Sequence, residues 1–528
     1  IPAAWFSSQQ EKSALEPGES MKVAAKIVVP DDAKVKAYPF FIIVQSDTAK
    51  NGAEVALKVL EKSASETKNV FKDVVVSNAI VNQDGVIKTT ITNPTGVQAT
   101  FTVTLDAPAD WNIKEKEIEV TLPVSLSDSQ PYWLREKGGP GLFRVDDPAL
   151  IGLPENPPPV TAVFALEVSG SPFSVERPVV YKWTDPVRGE LYRPFEVIPE
   201  VAVDLSDHVF VFPGPAAREV TVQVRAGRAG VEGTLRLEVP GGWQASPPSR
   251  EFRLGQKDAE AVLKFEVRPP ASASTGVLRA VAEAGGRRFE RGLVHIVHSH
   301  LPPQVLLPPA EGRLVRLDLQ RKGQTIGYVQ GAGDQIPAGL RQIGYTVVEL
   351  SEDDLVLDRL RRFDAVILGV RAYNTLERIR LHQPALFDYV KAGGTLIVQY
   401  NTSHELKVDA VAPYPLTISR ERVTEENAEV RFLLPGHPVL NRPNRITPAD
   451  FEGWVQERGL YFPNKWDPRF QAVLSSNDGG EPPRDGGLLV AQYGDGYFVY
   501  TGYSWFRQIP AGVPGAYRIL VNLISLGR

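Results

Sequence analysis

Apolar residues alternate with polar ones along much of residues 1–300, and this period of two constrains the fold more than any other feature. Val23, Ala25, Ile27 and Val29 form one such run. Alternation places one face of a strand on a core and the other face in water. Turn residues interrupt the runs at short spacing, without a helical period between them. The pattern therefore predicts β-sandwiches, and a chain of 528 residues is long enough for several domains.

Recurring strand runs and tryptophans divide this part of the chain into modules. Trp111 follows Ala-Pro-Ala-Asp, and Trp243 follows Val-Pro-Gly-Gly, each after a series of strand patterns. The first module resembles the second half of an Ig-like domain of the kind found in bacterial and archaeal surface proteins. Residues 128–198 contain Pro-rich loops and are predicted to form a β-rich module or connection. We further predict a partial Ig-like β-sandwich over residues 1–66, an Ig-like β module over 67–127 and an Ig-like β-sandwich over 199–303.

The period changes near residue 310, where short apolar runs begin to alternate with helical patterns. Such alternation indicates an α/β domain with a mainly parallel sheet over residues 310–528. Strands are predicted at residues 325–330, 346–350, 363–370 and 395–400, and helices near 336–343, 353–361 and 384–390. Sheets of this kind bind ligands at the carboxyl ends of their strands. This rule selects as candidate ligand-binding residues Gln330, Asp334, Arg371, Tyr373, Asn374, Gln399 and Asn401.

Composition excludes several classes of function. The formal net charge of -5 gives no indication of the clustered basic surface that nucleic acids require. The chain has no cysteine, which excludes disulfides, thiolate metal sites and cysteine nucleophiles. The longest apolar runs, such as Phe40–Val44 and Ala365–Val370, are far shorter than the ~20 residues of a membrane span. We therefore expect no nucleic-acid partner and no transmembrane helix.

Four long motifs occur in order along residues 130–518. They are Gln130–Arg135, Gly369–Asn374, Gly453–Phe462 and Pro510–Arg518. Together they resemble the C-terminal region of large bacterial PIG-L (LmbE-like) family deacetylases, and the resemblance covers residues 128–528. The last domain of that family looks like a ThuA-like or class I glutamine amidotransferase fold. The resemblance therefore implies an amidotransferase-like domain at the end of this chain.

The resemblance implies zinc-dependent N-deacetylation of amino sugars, but this chain lacks the corresponding motif. The family holds zinc with an Ala-His-Pro-Asp-Asp-Glu type of motif and a later histidine, and no such motif is present. His295 and His298 point to opposite faces of a strand, whereas His298 and His300 share a face. Two histidines fall short of the three or four ligands that zinc usually takes. We expect no cofactor in this chain, and zinc only in an upstream deacetylase domain.

The catalytic features of amidotransferases are incomplete as well. Those enzymes use a cysteine nucleophile at a strand-to-helix turn, and the chain has no cysteine. Ser403, His404 and Glu405 are consecutive, and adjacent residues rarely converge into a relay. Gly331 and Gly333 lack the third glycine of a dinucleotide-binding loop. We therefore predict no catalytic residue in this chain.

An aromatic block over residues 454–462 contains charged residues and has two interpretations. In the first, Glu457 and Arg458 lie in a polar site walled by aromatic rings, which suits a sugar or a peptide. In the second, which we favour, they form a buried ion pair that anchors a long insertion to the sheet. As further candidate ligand-binding residues we retain Trp454, Glu457, Arg458, Tyr461 and Arg507.

Three functional hypotheses follow. The first is a non-catalytic accessory region that is secreted, periplasmic or on the cell surface, and that binds carbohydrate or other envelope proteins. The second is a fragment of an active zinc-dependent N-acetyl-sugar deacetylase whose catalytic domain is missing from this chain. The third is a structural surface or filament subunit that self-assembles through open strand edges of its Ig-like modules. Because Ile1 is not methionine, we expect a processed, cut or partial chain.

Overall fold

The structure is a computed structural model that describes residues 128–139, 141–159, 161–168 and 171–527, with the backbone of nine strands between residues 6 and 106. The chain divides into two compact units. The first comprises residues 1–123 and 160–195, and the second comprises residues 124–159 and 196–528. The β-rich, multidomain character that the sequence predicts is confirmed.

The first unit consists of antiparallel pairs and small sheets. Its strands are β1 (Phe6–Ser8), β2 (Ala25–Ile27), β3 (Ala37–Gln45), β4 (Lys50–Lys58), β5 (Val75–Val76), β6 (Ile80–Val81), β7 (Ile87–Lys88), β8 (Ile91–Thr92), β9 (Ala99–Asp106), β10 (Thr161–Val168), β11 (Ser171–Pro178), β12 (Val180–Asp185) and β13 (Gly189–Pro194). One sheet has the order β11-β10-β9 and another the order β13-β12-β6-β7. The modules predicted over residues 1–66 and 67–127 fall largely outside the described residues, as does Trp111.

The second unit begins with short 3₁₀ helices at Tyr132–Leu134 and Pro148–Leu150 and continues as a two-sheet sandwich. On β16, the alternate residues Val220, Val222 and Val224 are buried, as a period of two requires. The strands are β14 (Val201–Leu205), β15 (Val209–Phe212), β16 (Arg218–Ala226), β17 (Val231–Glu238), β18 (Gln244–Ser246), β19 (Arg250–Leu254), β20 (Glu260–Arg268), β21 (Ser274–Ala284), β22 (Arg287–Phe289), β23 (Val294–Ile296), β24 (Gln304–Leu306) and β25 (Glu311–Arg316).

The two sheets enclose one core that extends beyond the predicted end of the sandwich. One sheet has the order β14-β16-β20-β18 and the other the order β15-β25-β21-β17-β19. The central strand β25 lies past residue 303, and its Leu314 and Val315 are fully buried. The proline-rich stretch 302–309 ends the alternating pattern, so the sequence assigned β25 to the following domain. Trp243 is buried in the sandwich core, with its ring centroid 5.0 Å from that of Phe212.

The rest of the second unit combines a seven-stranded sheet with helices. The sheet order is β27-β26-β28-β29-β36-β35-β33, in which the first five strands are parallel and β35 is antiparallel. The strands are β26 (Thr325–Val329), β27 (Thr346–Glu349), β28 (Ala365–Leu368), β29 (Thr395–Gln399), β30 (Leu416–Val423), β31 (Val430–Phe432), β32 (Gly459–Trp466), β33 (Gln471–Ala472), β34 (Leu474–Ser476), β35 (Leu488–Tyr493) and β36 (Gly496–Thr501). The insertion over residues 402–487 carries the pairs β30-β32 and β31-β34 and also supplies the edge strand β33 of the sheet.

The first helix lies where the sequence predicts it, whereas the bounds of the other helices differ from the predicted ones. They are α1 (Ile336–Gln342), α2 (Leu357–Leu360), α3 (Ala372–Thr375), α4 (Ile379–Lys391), α5 (Pro438–Asn441), α6 (Trp505–Gln508) and α7 (Pro514–Ile524), with 3₁₀ helices at Glu352–Asp354 and Pro448–Phe451. The predicted start of α4 was Pro384, because proline is common at the start of a helix. In the structure, Pro384 lies inside α4. The helix α3, which carries Tyr373 and Asn374, was not predicted.

The side chain of Gln342 in α1 bonds to β15, which is the edge strand of its sheet. Its amide oxygen accepts from the Val211 N–H at 2.8 Å, and its amide nitrogen donates to the Val209 carbonyl at 3.0 Å. These two backbone groups point away from β25, because alternate residues of a strand bond to opposite sides. An open edge can pair with another chain, and Gln342 occupies this one.

We expect Gln342→Ala to lower the free energy of unfolding by about 2 kcal/mol, because it leaves two backbone groups of β15 without partners. Chemical denaturation measures this difference. The matched control is Gln335→Ala, since Gln335 is exposed and its side chain does not cap α1. Equal losses in the two variants would refute this role of Gln342.

Candidate functional site

The carboxyl ends of β26 and β28 meet where the chain changes direction across the sheet. From β26 the chain moves outward to β27 and then returns to β28 on the other side. The loops that follow β26 and β28 touch directly, since Ala332 N–H donates to Val370 O and Gly369 N–H donates to Val329 O, both at 2.8 Å. A Cβ atom on Gly331 would lie 2.1 Å from Val370 O. Gly331 therefore serves the close contact of the two loops.

Asp334 joins these loops through its carboxylate. The Tyr328 hydroxyl lies 2.6 Å from each carboxylate oxygen, and the N–H groups of Ile336 and Val370 donate to it at 3.0 and 3.3 Å. Gln399 is 1% exposed and donates its amide N–H to the Tyr328 hydroxyl at 2.9 Å. Burial raises the pKa of Asp334, and the hydrogen bonds oppose the rise. The structure thus brings Asp334 and Gln399 together in a network that connects strand ends.

Tyr373, Asn374 and Asn401 lie in the same region and are buried. The Tyr373 N–H donates to the Asn401 side-chain oxygen at 2.8 Å. Asn374 donates its amide N–H to His404 O at 2.9 Å and accepts from the Thr402 N–H at 2.9 Å. The side chains of Asn374 and Asn401 and the backbone of Tyr373 hold the start of the insertion against α3, so they position the surrounding loops.

Five side chains at the carboxyl end of the sheet form what we call the strand-end site: Arg371, Tyr400, Glu457, Tyr461 and Arg507. The Arg371 N–H donates to Tyr400 O at 2.8 Å, which joins the ends of β28 and β29. The rings of Tyr400 and Tyr461 are parallel within 8°, with 6.1 Å between centroids. Arg507 Nε donates to Glu457 Oε1 at 2.8 Å. Burial raises the pKa of Tyr400, and the charges of Arg371 and Arg507 partly offset this rise, so the groups lie within electrostatic reach.

The backbone around the strand-end site is strained at four positions. Arg371, Glu405, Gln456 and Tyr461 have φ angles of 59°, 57°, 68° and 53°, in the left-handed region that residues other than glycine rarely adopt. In the described part of the chain, Asp258 in a sandwich turn is the one further non-glycine residue with positive φ. Such residues cluster at ligand sites. Their concentration here marks the carboxyl end of the sheet as the candidate functional site.

Besides the Tyr373 hydroxyl, three polar atoms near this site are buried and have no hydrogen-bond partner. They are Arg371 Nε and the side-chain oxygens of Gln330 and Gln399. Gln330 is the first residue after β26, Arg371 is the third residue after β28, and Gln399 ends β29, so all three belong to neighbouring strand ends. A buried polar atom without a partner destabilises the folded state unless a ligand or a water molecule forms a hydrogen bond with it. One N–H group and two amide oxygens at these strand ends therefore have unused hydrogen-bonding capacity.

Trp454 and Arg458 belong to the core of the insertion and not to the strand-end site. The Trp454 indole N–H donates to Asp450 O at 3.2 Å. Arg458 donates to Ala428 O at 2.9 Å and to Phe451 O, and its guanidinium lies 5.4 Å from the Trp454 ring centroid. Both residues therefore stabilise the insertion from within.

The prediction that Glu457 and Arg458 form an ion pair with each other is wrong. Glu457 pairs with Arg507 of α6, whereas Arg458 bonds to backbone carbonyls inside the insertion. Adjacent residues of an extended segment point to opposite sides, so Glu457 and Arg458 face different surroundings. The Glu457–Arg507 pair links the insertion to the helix that follows β36.

The remaining sequence candidates lie on exposed segments. His298 and His300 lie in the turn after β23, with 5.8 Å between ring centroids. In the part of the chain that the structure describes, no group of three or more metal-ligating side chains occurs. Ser403 and His404 are exposed, and the His404 ring lies 6.5 Å from that of Tyr461. Within the same described ranges, no helix has the length and apolar character needed to cross a membrane.

Sequence reasoning missed two aromatic residues of this region, Tyr400 and Phe506. Their ring centroids are 5.3 Å apart. Tyr400 is the first residue after β29, so the rule of carboxyl strand ends was sufficient to select it. Phe506 lies in α6 after β36, a strand that the sequence analysis did not assign, and no motif marked it.

Comparison with known proteins gives no family. No model of a known protein family matches the chain, and no curated protein matches it.

A β-galactosidase structure from Rahnella sp. R3 is similar at 14% identity and a TM-score of 0.22, over 38% of this chain and 31% of that chain. The chain thus spans under a third of that galactosidase. Native E. coli alpha-2-macroglobulin is similar at 11% identity and a TM-score of 0.16, over 56% of this chain and 20% of that chain. A complex of Dpr2 Ig1-Ig2 with DIP-Theta Ig1-Ig3 is similar at 9% identity and a TM-score of 0.14, over 56% and 77% of the two chains. Similarities of this size assign neither a family nor a function.

Proposed function

We propose that this chain is a non-catalytic accessory region of a PIG-L-type (LmbE-like) protein of the cell envelope, and that it binds carbohydrate at the strand-end site. In this proposal, residues 310–528 form a ThuA-like domain of the class I glutamine amidotransferase type. The observation that carries the proposal is the parallel pair of Tyr400 and Tyr461 beside the Glu457–Arg507 ion pair.

The chemistry of the strand-end site suits a sugar ring. Sugars present apolar C–H faces that pack on aromatic rings, and hydroxyl groups that bond to charged side chains. Tyr400 and Tyr461 supply aromatic surface, while Arg371, Glu457 and Arg507 supply donors and acceptors. These groups provide binding and orientation, so we propose recognition of a ligand and not its turnover.

An N-acetyl group would complete the unpaired atoms near the site. Its carbonyl oxygen accepts a hydrogen bond and its N–H donates one. Arg371 Nε is a buried donor without a partner, and the side-chain oxygen of Gln330 is a buried acceptor without a partner. We therefore propose N-acetylated sugars as the preferred ligands, in agreement with the amino-sugar chemistry that the family resemblance implies.

We expect Tyr400→Ala to weaken the binding of an N-acetylglucosamine oligomer by about tenfold. The reason is that a lost aromatic contact contributes on the order of 1 kcal/mol or more. Isothermal titration calorimetry on the intact chain measures this effect. The matched control is Tyr493→Ala, because Tyr493 is partly buried like Tyr400. Tyr493 ends the antiparallel strand β35, so it lies at the end of the sheet that is opposite the strand-end site.

Two outcomes would decide against this proposal. One is the failure of N-acetylglucosamine oligomers to bind the intact chain, and the other is an equal loss of affinity in the Tyr400 and Tyr493 variants. Hydrolysis of an N-acetylated sugar by this chain alone would instead favour the active deacetylase hypothesis.

A further inference from the structure

The insertion carries a second cleft that shares no lining residue with the strand-end site. The cleft has a volume of about 550 Å³, is open to solvent, and lies between β30 and the loop that follows β34. Its volume falls in the range of small-molecule sites, which are usually lined by apolar side chains. Here all nine lining residues are polar or charged. The cleft therefore suits a ligand that is itself rich in polar or charged groups.

The carboxylates of this cleft already have partners. Glu421 accepts from Arg484 Nη1 at 2.7 Å, and Glu481 accepts from Arg484 Nη2 at 3.3 Å. Asp478 accepts from both the N–H and the hydroxyl of Thr424 at 2.8 Å. Together with Arg420 and Arg422, Arg484 gives the cleft three arginines against three carboxylates, so no excess of negative charge is left to repel an anion.

Arg420 and Arg422 supply positive charge without a carboxylate partner. Both are exposed on β30 and line the cleft, at a place where bulges between Ile418 and Val423 interrupt the regular alternation of the strand. Among the described residues, neither forms an ion pair, and Arg484 Nε nearby is buried without a partner. Guanidinium groups bind planar oxyanions such as carboxylates through paired hydrogen bonds. The two free arginines therefore favour an anionic ligand.

We infer that this cleft binds an acidic sugar of the uronic acid type through its carboxylate. Arg420 and Arg422 receive the carboxylate, and the exposed amide of Asn464 lies in the same cleft to bond with ring hydroxyls. The cleft has no apolar or aromatic lining residue to anchor a peptide side chain, so a ligand rich in hydroxyl groups matches it better. This inference goes beyond the proposed function, since it uses none of the residues of the strand-end site.

Titration of the intact chain with an oligogalacturonate tests the inference. We expect saturable binding that weakens at high ionic strength, because the attraction lies at an exposed surface. A double variant, Arg420→Ala with Arg422→Ala, should lose at least tenfold in affinity. The matched control is Arg361→Ala with Arg362→Ala, which removes two exposed arginines after α2 and should leave the affinity unchanged.

Three results would overturn the inference. The first is that the oligogalacturonate does not bind, and the second is that both double variants lose affinity equally. The third is that inorganic phosphate or sulfate binds as tightly as the oligomer, since the sugar would then contribute nothing. Tyr400→Ala should retain oligogalacturonate binding, so a failure at the strand-end site and a failure at this cleft are distinguishable.

Discussion

Replacing Arg458 by alanine should lower the free energy of unfolding by about 4 kcal/mol. Arg458 is 4% exposed, and its guanidinium donates to Ala428 O and Phe451 O and lies over the Trp454 ring. The substitution leaves two buried carbonyls without donors and opens a cavity beside Trp454. Both costs act in the same direction, which makes this the largest stability effect that we expect from a charged residue.

Chemical denaturation followed by tryptophan fluorescence measures the loss. Arg458→Met keeps much of the side-chain volume and removes only the hydrogen bonds, so it should lose about half as much. Arg361→Ala removes an exposed arginine and should be nearly neutral. A loss from Arg458→Ala no larger than that of Arg361→Ala would contradict the structural role of Arg458.

Replacing Asp334 by alanine should lower the free energy of unfolding by about 3 kcal/mol. The change removes the acceptor for the Tyr328 hydroxyl and for the N–H groups of Ile336 and Val370. Because these bonds hold two loops at the carboxyl end of the sheet, the variant should also bind N-acetylglucosamine oligomers less tightly. The matched control is Asp388→Ala, since Asp388 is exposed on α4.

The deficit of Asp334→Ala should depend on pH. Burial raises the pKa of Asp334 above its ordinary value, so the folded protein binds this proton more tightly than the unfolded chain does. The stability that the carboxyl group contributes is therefore full below about pH 4 and decreases as the pH rises through its folded pKa. Denaturation should show a larger deficit at about pH 4 than at about pH 7. A deficit that grows with pH would contradict this account.

The periodicity of the sequence was sufficient to place most elements of the described part of the second unit. The buried runs at residues 325–330 and 395–400 correspond to β26 and β29, and the alternation at Val220 and Val222 corresponds to β16. The rule of carboxyl strand ends selected Arg371, which the structure places in the strand-end site. Local pattern determines these features, so a single sequence contains them.

Partners that are distant in sequence could not be predicted. Glu457 and Arg507 are 50 residues apart, and nothing in the sequence indicates that they pair. Asn374 and Asn401 follow strands in the same manner as Arg371, yet they hold loops in place because their acceptors and donors lie nearby in space. A side chain that supports a loop and a side chain that binds a ligand can have the same residue type and the same position after a strand. Only their contacts in the folded protein tell them apart.

The bond between Gln342 and β15 bears on how such a protein is inherited. A sandwich copied into another gene without α1 would carry an uncovered strand, with the N–H of Val211 and the carbonyl of Val209 open to neighbours. Such a recombinant protein would be prone to aggregate, so selection would remove the gene that encodes it. The sandwich and the domain that follows it are therefore expected to be inherited together, although their sequence patterns look independent.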